Sequence, residues 1–419
     1  MNFRKDFPIF TTHPDLVYLD STATSQKPSH VLNGVKDYLS SSYANIHRWS
    51  YDISTESERL YQASKQAIAD NIWASNWKEI IYTANSTYAL NLLSQSIWRT
   101  GLLKSGDKVL VSVVEHHANI VPWLILKEDY GIQVEFVWIN DDYSLDLDDL
   151  ESKLDDSVKI VSLTHVSNVT GQIFELNKVS ELLDEKYINS PDPFVKGEKN
   201  SRPLFIVDAS QSVPHFKIDI KSIGCDALFF TWHKIFAESG IWVLWAKEEL
   251  LNTLKPIFSG WWAIWHVSQD WFTHSTALPD KFEPGTPNLN WAVSLLKAFE
   301  YIDSIWGYKT LEKTEAELTV YASEKFSKLD GIKIIWSNSS DNRVWVFTFV
   351  VKGVHSFDIS DYLAEHNICI RAWQHCAEPL MNHAWHVHTC RMSLHIYNTT
   401  EDIDRFFEIL EQAILELKY

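Results

Sequence analysis

Five apolar runs that close in polar residues set the tightest limit on what this chain can fold into. They are "KVLVSVVEHH" (Lys108 to His117), "QVEFVWIN" (Gln133 to Asn140), "KIVSLTHVSN" (Lys159 to Asn168), "PLFIVDASQ" (Pro203 to Gln211) and "ALFFTWHK" (Ala227 to Lys234). Such runs, separated by amphipathic helical stretches, predict buried strands of a mostly parallel central sheet flanked by helices, an α/β fold. Ligands of these sheets bind beyond the carboxyl ends of the strands. Those ends carry His116, His117, His165, Asn168, Asp208, Gln211, His233 and Lys234, and chemistry is expected there.

A chain of 419 residues with 45% apolar content can bury a sizeable core and is long enough for two to three lobes. The net charge of -18 is spread along the chain, which argues against nucleic acid or an anionic membrane as partner. The start "MNFRKDFPIF" has no apolar targeting core, and no stretch approaches ~18 uninterrupted apolar residues. A soluble, cytoplasmic protein is expected. Cys225, Cys369, Cys376 and Cys390 include no C-x-x-C pair and no metal-like spacing with histidine, so neither a disulfide framework nor a metal site is expected.

"NSPDPFVKGEKNSRP" (Asn189 to Pro203) reads as a long surface loop. From about Trp291 the pattern changes to helices near Ala292 to Ile305 and Leu311 to Leu329, the strands "IKIIW" and "VWVFTFV", and a closing helix at Glu401 to Leu417. This predicts a smaller α+β C-terminal domain. The expected division is 1–19 as an N-terminal segment packing with the small domain, 20–290 as the large cofactor-binding domain, and 291–419 as the small domain.

Lys234 ends a strand among polar groups, where a lysine can form a Schiff base with an aldehyde cofactor. Pyridoxal 5'-phosphate (PLP) sites need such a lysine, an acidic partner for the pyridine nitrogen and a phosphate cradle. Asp208, after three apolar residues, would be costly to bury unless it met a cation such as that nitrogen. His116 could stack on a ring or pass protons. Ser86 and Thr87 sit at an expected helix N-terminus, which suits phosphate. Cys376 in "RAWQHCAEPL" has His375 beside it and Arg371 five residues earlier, and nearby cations favour the thiolate. Arg391 could clamp a carboxylate. Taken singly, each has an ordinary structural reading: a surface lysine, a turn aspartate, a helix cap, a core thiol, an ion pair.

Taken together, "YLDSTATSQKP", "YANIHR", "EHHANIVPW", "THVSNVTG", "VDASQSV", "HK", "FEPGTPN", "RAWQHCAEPLM" and "CRMSLHIYNT" resemble, in order from about Phe7 to the C-terminus, the group II cysteine desulfurases. These SufS-like and selenocysteine-lyase-like enzymes belong to the class V aminotransferases, PLP-dependent homodimers of fold type I. The resemblance implies that Lys234 carries PLP and then moves protons. It implies that Asp208 pairs with the pyridine nitrogen, that Gln211 meets the ring hydroxyl, and that His116 stacks on the ring. Thr87, Thr231 and His233, with Thr286 from the other subunit, would bind phosphate. Asn168 and Arg391 would orient L-cysteine, Arg391 on its carboxylate, and Cys376 would take the sulfur, leaving alanine and a persulfide. The persulfide would feed iron–sulfur cluster assembly through an acceptor of SufE or SufU type. A selenocysteine lyase, another class V PLP lyase, and an inactive scaffold of the same fold stay open as alternatives.

The chain departs from the family pattern at one residue type. Average usage predicts about 29 glycines at this length, whereas there are 13 Gly and 19 Trp. Tryptophan stands where the family has glycine at Trp49, Trp98, Trp232, Trp242, Trp261, Trp262, Trp291, Trp345 and Trp373, with Trp73, Trp77, Trp265, Trp306, Trp336 and Trp385 similar. An indole at a glycine site brings overpacking of ~1 to 3 kcal/mol, yet every chemical residue is retained. Translation of UGA as tryptophan, where the source reads it as glycine, would account for this. The other readings are a truly tryptophan-rich, inactive chain, or stacking contacts by Trp49, Trp232 or Trp373.

Overall fold

Seven strands form the central sheet of the computed structural model, which describes residues 3–47, 50–188, 201–335, 342–384 and 386–418. In chain order they are β1 (Ile80–Thr83), β2 (Lys108–Ser112), β3 (Gln133–Val137), β4 (Val158–Thr164), β5 (Leu204–Asp208), β6 (Ala227–Thr231) and β7 (Trp242–Ala246). Their order across the sheet is β1-β7-β6-β5-β4-β2-β3. Neighbours from β6 to β3 pair in parallel, and β7 alone runs antiparallel, to both β6 and β1. The mostly parallel sheet read from the sequence is therefore present. Strands β1 and β7 are additions to the five expected.

Alternation explains why these runs are apolar throughout. Leu110, Val161, Phe205, Val207 and Phe230 enter the cluster on one face, while Val109, Val111, Ile160, Ile206 and Phe229 enter that on the other. With helices on both faces, neither set of alternate side chains can be polar. Helices Ser86–Thr100 and Val121–Tyr130 follow β1 and β2, and helix Leu176–Lys186 follows β4. The polar stops at the carboxyl ends of these strands consequently collect along one edge.

A second sheet, of strands β8 (Ile332–Ile334), β9 (Val346–Val351), β10 (Arg371–Trp373) and β11 (Thr389–Ser393), has the order β8-β9-β11-β10 and is antiparallel. It has its own apolar cluster, in which Phe326 meets Phe347 at 5.3 Å and Phe407 at 4.7 Å. Helix Thr400–Leu417 closes the chain, started by a reciprocal cap between Thr399 and Asp402. The N-terminal segment touches both units. Val17 and Tyr18 pair in parallel with Ile368 and Cys369, while Phe7 packs on Phe236 and Tyr397. Helix Leu289–Ser304 lies against helices Ser29–Ser41 and Asp52–Ile72, within the large unit's cluster. Among the described residues no helix is long and apolar enough to cross a membrane.

The tryptophans divide by backbone. Trp73, Trp306 and Trp373 have φ of 58°, 68° and 119°, the left-handed region that favours glycine, and Trp262 sits at φ 1°. Trp291 is accommodated because Gly240 lacks a side chain, since a Cβ there would lie 1.8 Å from its ring. Trp232 is wholly buried between Phe230 and Phe299, its indole N–H without a hydrogen-bond partner. The remaining described positions do not have positive φ, and Trp265 is 82% exposed. Trp49, Trp336 and Trp385 lie outside the described residues, as do 189–200 of the expected surface loop. Trp73 terminates helix Asp52–Ile72 in the left-handed conformation and is 54% exposed, so its ring gives little burial in return. Trp73→Gly is expected to raise unfolding free energy by about 1 kcal/mol in a denaturant titration; a loss of stability would show that the indole is needed there.

Candidate active site

The carboxyl edge of the large sheet opens on a cavity of about 270 Å³. From the start of helix Ser86–Thr100, just after β1, come Asn85, Ser86 and Thr87; from the segment after β2 comes His116; β5 and the turn beyond it bring Asp208, Ser210 and Gln211; β6 and the turn beyond it bring Thr231, His233 and Lys234. Asn168 follows β4, and Arg371 and Arg391 enter from the second sheet. The structure thus brings together all the expected site residues except Cys376, which stands at the margin, and Thr286, which is exposed and does not line the cavity. His117 and His165 share the strand ends but do not line it. The His165 ring turns instead onto Phe216 at 5.5 Å.

Burial sets the electrostatics. Lys234 is desolvated, which lowers its pKa from 10.5 to about 8; Asp208 pulls it up, and Arg391 and Arg371 push it further down. Burial raises the Asp208 carboxyl, against the bond it accepts from Ser210 N–H at 2.9 Å and the pull of Lys234. Desolvation and the neighbouring Lys234 bring His116 down to about 3, so its ring is neutral near pH 7. Its Nδ1 accepts from Ala118 N–H at 3.0 Å, which fixes the ring's orientation.

Two places fit an anionic group. Helix Ser86–Thr100 begins at this wall, and Asn85 caps it by accepting from Tyr88 N–H at 2.7 Å. The first-turn N–H groups of Ser86 and Thr87 have no acceptor within the helix. Across from them the Thr231 hydroxyl is buried with no hydrogen-bond partner. Arg391, 1% exposed, donates from Nη1 to Asn168 O at 3.0 Å and from Nη2 to Asp20 Oδ1 at 3.2 Å, while its Nε has no partner. A buried carboxyl seeking a cation, a lysine with a depressed pKa, and an anion cradle with an unmet hydroxyl are what PLP requires. The residues present fit it.

Cys376 lies on the segment after β10. Its Sγ is 3.7 Å from Arg371 Nη2, a guanidinium that also lines the cavity. Asn168 Nδ2 donates to the His375 carbonyl at 2.7 Å, so the side chain expected to orient substrate also holds this segment.

Several site residues were not singled out in the sequence. Glu115 is buried, its carboxyl pushed up to about 8 by desolvation. It accepts from Asn119 Nδ2 at 2.7 Å, from Thr164 N–H at 2.9 Å and from the Ser112 hydroxyl, and so fixes the turn that carries His116 and His117. Lys27, lowered to about 7 by burial, donates to the His233 carbonyl at 2.9 Å. That same carbonyl takes the Thr24 hydroxyl at 3.1 Å and Ser25 N–H at 3.0 Å, which pins the peptide immediately before Lys234. The motif "TSQKP" was the only signal for Lys27, and spacing alone gave it no role.

Comparison with known proteins agrees with this geometry. The family model for class V aminotransferases matches residues 17–406. The chain is 35% identical to a probable cysteine desulfurase of Xylella fastidiosa over 97% of its own length and 94% of that protein's. It is 35% identical to one of Synechocystis over 98% and 94%. Among solved structures it is similar to an apo cysteine desulfurase of Thermococcus onnurineus, with a TM-score of 0.89 and 31% identity over 99% of this chain and 98% of that one. A cysteine desulfurase of Escherichia coli gives 0.86 and 30% over the same shares. With the match running through both sheets and the cavity between them, the chain belongs to the class V aminotransferases and stands there among the cysteine desulfurases.

Proposed function

We propose that the protein is a PLP-dependent desulfurase of group II that takes sulfur from L-cysteine onto Cys376, releasing L-alanine. The observation that carries this is the convergence of Lys234, Asp208 and Arg391 on one cavity, with the Cys376 thiol beside Arg371 at its margin. PLP, when bound, supplies an electron sink that makes the Cβ–S bond of cysteine labile. Asp208 would stabilise a protonated pyridine nitrogen. Gln211 would contact the ring hydroxyl, and His116, neutral and fixed, would cover the ring. Ser86, Thr87, Thr231 and His233 would bind the phosphate, with Thr286 supplied across a homodimer.

Arg391, with its free Nε, would hold the substrate carboxylate, and Asn168 would assist. Lys234 would carry the cofactor and then move protons at Cα and Cβ. The balance is simple: cysteine's sulfur leaves Cβ, a proton takes its place to give alanine, and the Cys376 thiolate gains the sulfur as a persulfide. A SufE-type or SufU-type acceptor would pass that sulfur to iron–sulfur cluster assembly in the cytoplasm. The large unit, with helix Leu289–Ser304 packed into it, would bind the cofactor, and the unit of the second sheet would carry the sulfur acceptor.

We further propose that glycine occupies many of the tryptophan positions in the native protein, through reading of UGA. The left-handed backbone at Trp73, Trp306 and Trp373 supports this. Peptide masses from the native source spanning "SIGCDALFFTWHK" should show glycine at position 232; an intact tryptophan would overturn the reading.

Lys234→Ala should lose the visible absorbance of bound PLP and lower alanine formation by about 10²- to 10⁴-fold. Cys376→Ser should keep that absorbance and lose sulfur transfer, and full activity in either variant would reassign its role. Burial disfavours the ammonium of Lys234, so the reactive neutral amine appears at lower pH than in a free lysine. The rate at which PLP absorbance develops in cofactor-free protein should rise from about pH 7 to about pH 9 and then level off. A rise continuing to 10.5, the ordinary lysine value, would show an unperturbed amine.

A further inference from the structure

The segment carrying Cys376 has a backbone that most residues avoid. Trp373, His375 and Cys376 have φ of 119°, 53° and 58°, and for residues with a Cβ such conformations persist only where surrounding contacts over-determine them. Behind the segment, the buried His375 ring meets Thr389 Oγ1 at 2.8 Å, and that hydroxyl is 3.1 Å from the Trp373 carbonyl. Towards the large sheet, Asn168 holds the His375 carbonyl, and two further contacts come from one residue. His117 N–H donates to the Cys376 carbonyl at 2.7 Å, and His117 Nε2 accepts from Glu378 N–H at 3.2 Å.

Glu378 opens helix Glu378–His383, whose cap position is Ala377, with no side chain able to accept. The first N–H of that helix is therefore met from another part of the chain. The His117 imidazole does the work that a serine or aspartate cap would do locally. To accept at Nε2 the ring carries its proton on Nδ1. His117 is itself held, because Glu115, two residues earlier, is locked by three donors.

We propose that His117 is a positioning residue for the sulfur acceptor: it ties the peptides on both sides of the Cys376 thiol to the carboxyl edge of the large sheet. Its imidazole does not line the cavity. The proposal rests on Cys376 taking the sulfur, as proposed above, but the clamp itself can be tested without turnover.

The test uses PLP-loaded enzyme carrying His117→Ala, which removes the acceptor and keeps the backbone N–H, or His117→Gln, whose amide oxygen reaches close to the Nε2 position. Hydrogen exchange followed by mass spectrometry should show faster exchange in the Arg371–Leu380 peptide of His117→Ala, with helix Val121–Tyr130 unchanged and PLP absorbance retained. His117→Gln should restore protection. In alanine formation, His117→Ala should lose about tenfold in kcat with KM for cysteine unchanged, and His117→Gln should recover most of it.

Parent-like exchange at Arg371–Leu380 in His117→Ala would overturn the clamp. So would equal loosening of the Val121–Tyr130 helix, which would indicate a general packing defect. Parent-like kcat despite faster exchange would overturn the positioning role. If the parent enzyme forms no alanine, the desulfurase reading fails and the exchange comparison still decides the clamp.

Discussion

Desolvation of Lys234 and Asp208 at one sheet edge is the constraint on which the site depends. The fall of Lys234 from 10.5 to about 8 corresponds to about 3 kcal/mol against its ammonium form. Asp208 is disfavoured as an anion for the same reason, and the two offset each other only in part. Arg391 and Arg371 add to the lowering of Lys234. A cavity of this kind is poor as an empty ion-pair site and good as a receptacle. A group with a cationic ring nitrogen at Asp208, an electrophilic carbon at Lys234 and a phosphate at the Ser86 helix end would relieve all three imbalances at once.

Holding that arrangement takes segments far apart in the chain. The peptide before Lys234 is fixed by Thr24, Ser25 and Lys27. Arg391, on the second sheet, reaches Asp20 on one side and the Asn168 carbonyl on the other. The stretch from Asp20 to Lys27 therefore acts as a strap between the units. Substrate bound at Arg391 would sit where a shift between the two sheets is felt most directly. Relative placement of Cys376 and Lys234 is then a property of this seam as much as of either sheet.

Much of this was legible in the sequence because strand ends in a doubly covered sheet announce themselves: apolar on both faces, then abruptly polar. Lys234, Asp208 and His116 were found that way. Strands β1 and β7 were less visible, since "IIYT" is four residues long and "WVLWA" begins with Trp242, one of the anomalous tryptophans. What the sequence left without a role was His117, for a physical reason. His116 and His117 differ by one step in a tight turn; His116 lines the cavity as expected, whereas the reach of His117 to the Cys376 segment is made only by folding. Likewise nothing in spacing connects Asp20 with Arg391 or Lys27 with His233, because those contacts are made by folding and not by local pattern. Thr286 is exposed in the single chain, apart from the residues that line the cavity.

The tryptophan excess bears on the same segment that carries Cys376. At Trp373 the backbone lies in the left-handed region while the ring rests on the surface against Phe357 and His388, so the side chain adds contacts outside and strain inside. Glycine there would remove the strain at one of three left-handed positions and leave His375 and Cys376 to be held by Asn168, Thr389 and His117. Those three contacts go to groups that glycine at 373 would not alter. The clamp on Cys376 is therefore independent of how position 373 is decoded, whereas the packing around Trp232, where an entire indole fills the space between Phe230 and Phe299, is not.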